Sequence, residues 1–264
     1  MPGFDKPPLF VKSRDNPGKE RHRSVRMRRK KWTRAELAVC PYYIDRPEGN
    51  RGRWRDAFER EGPLYLELGC GKGVSTAAMA ADNPGVNYLA MDLNADVLGV
   101  ARRNVEAAFR GKQVNNLKLL RGNAEQIEYF FAPEDRVERI YINFCNPWAK
   151  RAKQHKRRLT HTRKLLKYRD FLVDDGEIWF KTDDDALFNA TRRYLEESGF
   201  ALRWLTWDLH GSGFTPNYVS EHERLYMEAG VPIKLLIAAK EPGLPEGAPG
   251  ECAGSDGNER NEET

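Results

Sequence analysis

Residues 64–73 have the sequence LYLELGCGKG, and this stretch decides the fold. The apolar run around Glu67 is typical of a short buried strand, and the glycines after it permit a sharp turn. Apolar residues then recur at helical spacing over residues 74–81. A strand that passes through a glycine turn into a helix predicts the first half of a βαβ unit.

The alternation of strand and helix continues along the chain. Further strands are predicted at 86–92, 117–122, 139–145 and 177–181, and helices at 96–109, 125–131, 162–171 and 187–198. Such alternation favours right-handed crossovers and a mostly parallel sheet covered on both faces. Two last strands, 202–209 and 233–239, are separated by a long loop with no obvious helix of ordinary length. They predict an antiparallel pair at one edge of an α/β fold.

Composition divides the chain into three parts. Residues 1–24 and 241–264 mix Pro, Gly and charged residues without periodicity, which predicts a disordered basic arm and a disordered acidic tail. One domain is therefore expected over residues 25–240. With 40% hydrophobic and 31% charged residues, the chain is expected to be globular and soluble. It has neither a run of eighteen apolar residues nor the apolar region of a secretory signal, so no membrane span and no export are expected.

The four cysteines are scattered, with no CxxC pair and no Cys/His cluster. This spacing argues against a zinc site and against a disulfide framework. It is typical of a protein in a reducing cytoplasm.

The net charge of +5 is unevenly distributed. Residues 1–34 carry 12 Lys/Arg against 3 Asp/Glu, residues 147–170 carry 10 against 1, and residues 240–264 carry 2 against 7. A single basic run is usually solvated surface. Two such runs on an otherwise acidic chain favour a polyanionic partner such as nucleic acid.

The glycine turn after the first predicted strand is a candidate ligand site, because ligands of α/β sheets bind at the carboxyl ends of strands. Val74 stands where a dinucleotide fingerprint needs its last glycine, and the phosphate-binding pattern GxxxxGK[ST] is absent. Glu67 leading into Gly69 and Gly71 suits a ligand with an amino group and no phosphate, such as S-adenosylmethionine. A plain tight turn is the alternative.

Polar residues also end the next two strands. Asp92, 21 residues after Gly71, can accept both hydroxyls of a ribose, or it can cap the helix that follows. Asn123 follows the third strand, where its amide can hydrogen-bond an adenine edge. Considered alone, Asn123 fits a turn or cap residue better.

The fourth predicted strand leads into the strongest signal, residues 141–150 (YINFCNPWAK). Asn146 is followed by Pro147 and Trp148, which predicts a polar side chain fixed at a reaction site. Six of the eight residues at 151–158 are Lys, Arg or His. This loop would place a polyanion beside the site.

Together these motifs resemble the bacterial tRNA (guanine-N7-)-methyltransferases of the TrmB type. The resemblance runs from residue 26 to residue 237. Its landmarks lie at 26–32 (RMRRKKW), 66–73 (LELGCGKG), 146–148 (NPW), 157–161 (RRLTH), 180–183 (FKTD), 220–223 (SEHE) and 230–233 (GVPI). Each motif is short, but their order and spacing are together highly specific.

The resemblance implies a class I, Rossmann-like methyltransferase fold that uses S-adenosylmethionine, without a metal. The expected product is N7-methylguanosine at guanosine 46 in the variable loop of tRNA. By position, the resemblance assigns residues to two sets. S-adenosylmethionine would be bound by Glu67, Gly69, Gly71, Asp92, Asn123 and Asn146, of which Asn146 would be catalytic, and tRNA would be bound by Lys150, Asp183, Ser220 and Glu223.

Two positions depart from the family pattern. The family usually has Asp where this chain has Asn146, and Thr where it has Ser220, which retains the hydroxyl. An amide is compatible with the chemistry, because guanine N7 has a free in-plane lone pair and carries no proton to remove. Asn146 can orient the substrate while Asp183 or Glu223 supplies negative charge.

Two other hypotheses stay open: an RNA-binding protein with a degenerate methyltransferase site, and a methyltransferase that acts on another RNA. Residues 150–158 and the arm around residues 21–31 are expected to neutralise tRNA phosphates. Trp32 and Trp148 are candidates for base stacking, and burial is the alternative for both. The sequence is compatible with a monomer or a homodimer.

Overall fold

The computed structural model describes residues 30–243, which contain eight strands and six α-helices. The strands are β1 (Tyr43–Ile44), β2 (Leu64–Leu68), β3 (Asn87–Asp92), β4 (Leu117–Arg121), β5 (Val137–Asn143), β6 (Leu172–Thr182), β7 (Phe200–Thr206) and β8 (Lys234–Lys240). The helices are α1 (Thr33–Ala38), α2 (Val74–Asp82), α3 (Ala95–Phe109), α4 (Thr162–Phe171), α5 (Asp185–Glu197) and α6 (Glu221–Glu228). Short 3₁₀ helices connect several of them.

All eight strands form one sheet in the order β1-β4-β3-β2-β5-β6-β8-β7. The first six pair in parallel, and β8 runs antiparallel to both β6 and β7. The predicted α/β class, with a mostly parallel sheet and an antiparallel edge, is confirmed.

Side chains of β2 alternate between two hydrophobic cores, one on each face of the sheet. Leu64 and Leu66 join the core formed with α4 and α5, whereas Tyr65 packs against the core formed with α1, α2 and α3. Because both faces are covered, the ends of the strands are the parts of the sheet left for a ligand.

The N-terminal edge contains two elements that the sequence pattern did not predict, the six-residue α1 and the two-residue β1. Thr33 of α1 lies against Gly99 of α3, and its hydroxyl donates to Asp96 Oδ1 over 2.7 Å. Both elements are too short to show a clear periodicity, and tertiary contacts hold them. The predicted domain start at residue 25, the basic arm 1–24 and nearly all of the acidic tail 241–264 lie outside the described residues.

The connection between β7 and β8 contains α6, although the sequence showed no obvious helix there. Ser220 and Glu223 form a capping box at its start. Glu223 is the one buried residue of this helix, so an apolar stripe that could reveal it is missing. The predicted helix at 125–131 is a 3₁₀ helix at Ala124–Tyr129.

None of the helices within residues 30–243 is both long enough and apolar enough to cross a lipid bilayer. Cys40, Cys70 and Cys145 are free thiols.

Gly99→Ala is expected to loosen the contact between α1 and α3. A Cβ atom there would lie 2.5 Å from Cγ2 and 2.6 Å from Cβ of Thr33. Overpacking costs about 1–3 kcal/mol, which exceeds the ~1 kcal/mol that alanine gains over glycine in a helix. Urea unfolding should show a net loss of stability. Gly85→Ala, whose Cβ meets no atom within 4 Å, is the matched control, and a stabilised Gly99→Ala variant would contradict the packing.

Candidate active site

The sheet order places the predicted site residues in a row along one edge. Neighbouring strands end in the order β4, β3, β2, β5, β6. In the same order the edge presents Asn123, Asp92, the turn with Gly69 and Gly71, Asn146 and Asp183. The structure therefore brings the candidate cofactor residues next to the candidate substrate residues.

The glycine turn after β2 borders open space. Gly69 and Gly71 have φ angles of +80° and +55°, and a Cβ atom at either position would meet no atom within 4 Å. Gly73 differs, because its Cβ would lie 2.9 Å from the Cβ of Ala101. Thus Gly73 permits close packing of the helices, whereas Gly69 and Gly71 leave a cradle of bare backbone for a ligand.

Asp92 holds the far side of this turn. Its Oδ2 accepts a hydrogen bond from the Gly71 amide over 3.1 Å, and its Oδ1 accepts from the Asn94 amide over 2.8 Å. Burial raises the pKa of the Asp92 carboxyl. Asn94, not Asp92, caps α3. Each carboxylate oxygen keeps acceptor capacity for a ribose hydroxyl.

Asn123 caps the 3₁₀ helix after β4, as its turn-or-cap interpretation predicts. Its Oδ1 accepts from the Glu125 amide over 3.0 Å. Its Nδ2 donates to no other residue of the described chain. That donor is compatible with an adenine edge beside Asp92.

Glu67 lies behind the glycine turn with 3% of its surface exposed. Its carboxylate accepts hydrogen bonds from Thr76, from Ser75 over 3.5 Å and from Asn143 Nδ2 over 2.8 Å. Burial raises the pKa of the Glu67 carboxyl. The carboxylate therefore links the start of α2 to the end of β5, and its contact with a cofactor stays a prediction.

Asn146 is exposed on the loop after β5, and its Oδ1 accepts from the Trp148 amide over 3.0 Å. Phe144 and Trp148 on either side have positive φ angles of 52° and 48°. Bulky side chains rarely adopt this conformation, and it is concentrated at functional sites. Phe144 also stacks on Tyr226 of α6, with ring centroids 5.8 Å apart.

The second group of predicted residues lies where β6 meets α6. The Ser220 hydroxyl accepts from the Glu223 amide over 3.1 Å. Burial, followed by the charge and the hydrogen bond of Asp183, raises the pKa of the Tyr226 hydroxyl. Lys72 of the glycine turn pairs with Glu221 over 2.6 Å. These contacts hold α6 at the carboxyl-end edge of the sheet, between Asp183 after β6 and the glycine turn after β2.

The basic loop after Asn146 is only partly available to a polyanion. Lys150 is exposed and is not hydrogen-bonded to the other predicted site residues. Arg157 stacks over the Trp148 ring at 3.9 Å. Arg158 was expected to contact phosphates, but it is 4% exposed and donates to the Pro147 carbonyl oxygen over 2.7 Å. That expectation is corrected: Arg158 holds the loop from inside, and the exposed cations are Lys150, Arg151, Lys153, Lys156 and Arg157.

Both tryptophans considered for base stacking already contact cations. Trp32 is half-buried with the Arg103 guanidinium 3.6 Å from its ring centroid, and Trp148 is half-buried beneath Arg157. Within residues 30–243, no group of three or more His, Cys, Asp or Glu side chains could hold a metal ion.

Sequence reasoning missed the residues that join these groups: Asn143, Lys181, His210 and Asn217. Asn143 and Lys181 are polar residues at the ends of β5 and β6, a signal that could have identified both. His210 and Asn217 belong to an irregular loop and follow no pattern.

Glu67→Gln tests the buried carboxylate through the pH dependence of stability. With its pKa raised in the folded protein, Glu67 retains a proton where the unfolded chain has released it. Wild-type stability therefore falls as the pH rises through the folded pKa. Glutamine does not titrate, so the wild type should lose unfolding free energy relative to the variant as the pH rises above about 4.3, the ordinary pKa of a glutamate. Urea unfolding at several pH values measures this, with exposed Glu196→Gln as the control, and a constant difference would contradict it.

Known proteins resemble this chain over most of its length. A family model described as "Putative methyltransferase" matches residues 61–236. A protein of Clostridium botulinum (strain Eklund 17B / Type B), named tRNA (guanine-N(7)-)-methyltransferase, is 50% identical over 219 residues, which are 82% of this chain and 100% of the relative. The protein of the same name from Clostridium perfringens (strain 13 / Type A) is 49% identical with the same coverage.

Solved structures support the fold. An antibiotic-related methyltransferase superposes with a TM-score of 0.50 and 14% identity, over 74% of this chain and 91% of that one. The 16S rRNA methyltransferase KamB superposes with a TM-score of 0.50 and 13% identity, over 71% and 91%. The motif-based resemblance and the class I methyltransferase fold are thereby confirmed. The chain belongs to the tRNA (guanine-N(7)-)-methyltransferase family.

Proposed function

We propose that this protein transfers a methyl group from S-adenosylmethionine to N7 of a guanine in tRNA, at guanosine 46 of the variable loop. The observation that carries the proposal is the meeting of a bare glycine cradle, Asp92 and the Asn146 loop at adjacent strand ends, beside an exposed cationic loop. The names of the half-identical relatives support it. The cysteines within residues 30–243 are free thiols, which suits the reducing cytoplasm, where we place the reaction.

The residues of the cradle fit S-adenosylmethionine. Gly69 and Gly71 leave room for it, Asp92 retains acceptors for the ribose hydroxyls, and Asn123 retains a donor for the adenine. The glycine pattern does not suit a dinucleotide pyrophosphate, because Val74 stands where that fingerprint needs its last glycine. When bound, this cofactor supplies an electrophilic methyl group on a positively charged sulfur.

The side chains of this chain need only align the reactants and stabilise charge. Guanine N7 attacks through its in-plane lone pair, so no residue has to remove a proton. Asn146 orients the guanine through the hydrogen bonds of its amide. Because positive charge moves onto the purine, the nearby carboxylate of Asp183 favours the transition state electrostatically.

The tRNA backbone is bound by the exposed cations beside Asn146. Lys150, Arg151, Lys153 and Lys156 lie on one loop and form no ion pair within residues 30–243. Each phosphate contact lowers log K by roughly 0.7–0.9 per log unit of salt. Binding is therefore expected to weaken steeply as salt is added, independently of the sequence of the tRNA.

Methyl transfer to two transcripts tests the proposed function. An unmodified tRNA and a copy with the variable-loop guanine replaced by adenine are incubated with labelled S-adenosylmethionine at low salt. We expect label on the first transcript and none on the second, because the second has no guanine at the target position. Label on both transcripts would show that the methylated nucleotide is at another position of the tRNA. Binding of both without label would favour an RNA-binding protein with a degenerate site.

Asn146 variants test the role of the amide. We expect Asn146→Asp to keep or raise the rate, because a carboxylate also accepts hydrogen bonds and adds negative charge. Asn146→Ala should lower kcat by about tenfold or more through loss of orientation. Asn189→Ala is the matched control, since the exposed Asn189 donates only to the Asp185 carbonyl oxygen. Equal rates for the wild type and Asn146→Ala would exclude this role.

A further inference from the structure

The ammonium group of Lys181 is fully engaged at the end of β6. Its side chain is 10% exposed. Nζ donates to Asn217 Oδ1 over 2.5 Å, to the Tyr218 carbonyl oxygen over 3.3 Å and to Glu223 Oε2 over 3.0 Å. An ammonium has three N–H groups, and all three go to residues 217–223. Lys181 therefore ties the segment before α6 to the centre of the sheet.

Glu223 is surrounded in the same way, with none of its side chain exposed. Besides Lys181, its carboxylate accepts from Asn217 Nδ2 over 2.7 Å and from the Ser220 amide over 3.5 Å, and His210 Nε2 lies 3.2 Å away. A carboxylate has about four acceptor positions. Three protein donors and the adjacent His210 ring surround this carboxylate, and none of its side chain is exposed, so it presents no free oxygen to a substrate.

The other contacts of α6 lie nearer the surface than Glu223. Glu223 is the one buried residue among the eight of this helix. Phe144 stacks on Tyr226 and on His222, and Tyr226 is also hydrogen-bonded to Asp183. The half-exposed Lys72 pairs with Glu221. The position of Ser220, which begins the helix, therefore depends on the buried charges behind it.

We propose that Lys181 and Asn217 are positioning residues for tRNA, and that Glu223 acts through them instead of touching the substrate. The inference rests on the proposed function. Ser220, held by the capping box, is the member of this motif left to face the tRNA. The buried network sets the distance between α6 and the Asn146 loop.

A buried ion pair is suited to this task because it tolerates few alternative arrangements. Removing one partner leaves the other charge buried without compensation, and the chain then moves to reach water. Removal of the ammonium would thus displace the start of α6. Asn217, which bonds both charges, keeps the loop in register with them.

Steady-state kinetics of Lys181→Met and Asn217→Ala test the proposal. We expect KM for tRNA to rise at least tenfold in both variants, with kcat at saturating tRNA within about threefold of the wild type. The affinity of Asn217→Ala for S-adenosylhomocysteine should be unchanged by calorimetry, because Asn217 bonds no residue of the glycine turn. An unchanged KM, or a loss confined to kcat, would overturn the proposal.

Asn116→Ala is the matched control for a merely structural effect. The buried Asn116 amide donates to the carbonyl oxygens of Ala80, Asn83 and Val86, at the edge of the sheet where β3 and β4 begin, opposite the cradle. This variant should unfold at lower temperature with an unchanged KM for tRNA. If its KM rose as much as that of Asn217→Ala, general destabilisation would explain both and the proposal would fail.

Hydrogen exchange separates this inference from the proposed function. Amides of residues 217–228 should exchange at least tenfold faster in Lys181→Met and in Asn217→Ala, but not in Asn116→Ala. Unchanged exchange in the first two variants would refute the positioning role. If the wild type transferred no methyl group to tRNA, the proposed function would fail, while the exchange result would still decide whether these residues position α6.

Discussion

Two backbone hydrogen bonds hold the candidate active site together. The amides of Gly69 and Cys70 both donate to the carbonyl oxygen of Met91, each over 2.9 Å. Parallel pairing of β2 with β3 brings Leu68 opposite Met91, so the glycine turn closes onto the end of the neighbouring strand. Asp92 is the next residue along the chain, and its carboxylate accepts from Gly71. Strand register therefore places the cradle beside Asp92, and the hydrogen bond from Gly71 to the Asp92 carboxylate then fixes the two together.

The opposite half of the site is held by charge. Lys181 and Asn143 are paired across β6 and β5, and one side chain bonds Glu223 while the other bonds Glu67. Two buried carboxylates thus flank the middle of the sheet edge, each with donors from the protein. Burial raises the pKa of the Glu67 carboxyl and lowers that of the Lys181 ammonium. The candidate site therefore combines a backbone cradle with a second half whose geometry depends on buried ionisable side chains.

Sequence reasoning succeeded where the signal is local. Strand, turn and helix follow one another within residues 64–81, so periodicity and glycine spacing suffice to predict the cradle. Sequence reasoning failed where tertiary contacts determine whether a helix forms or a side chain is buried. The helix α6 has no apolar stripe because a carboxylate, Glu223, is its buried side, and its partner Lys181 lies 42 residues earlier. Arg158 belongs to a basic run, and only the fold shows that its guanidinium faces a backbone carbonyl. Composition cannot separate a buried cation from an exposed one.

The chemistry explains why an amide can stand where the family usually has a carboxylate. A reaction that removes a proton needs a base of suitable pKa, and Asn146 could not serve. Alkylation of N7 requires no base, so the rate depends on the alignment of the reactants and on the electrostatic field around the purine. The strained backbone at Phe144 and Trp148 supplies the first by fixing the Asn146 loop. In the proposed mechanism, Asp183 on the adjacent strand end supplies the second. Orientation and charge would then come from two neighbouring strands, and one carboxylate would be enough for both functions.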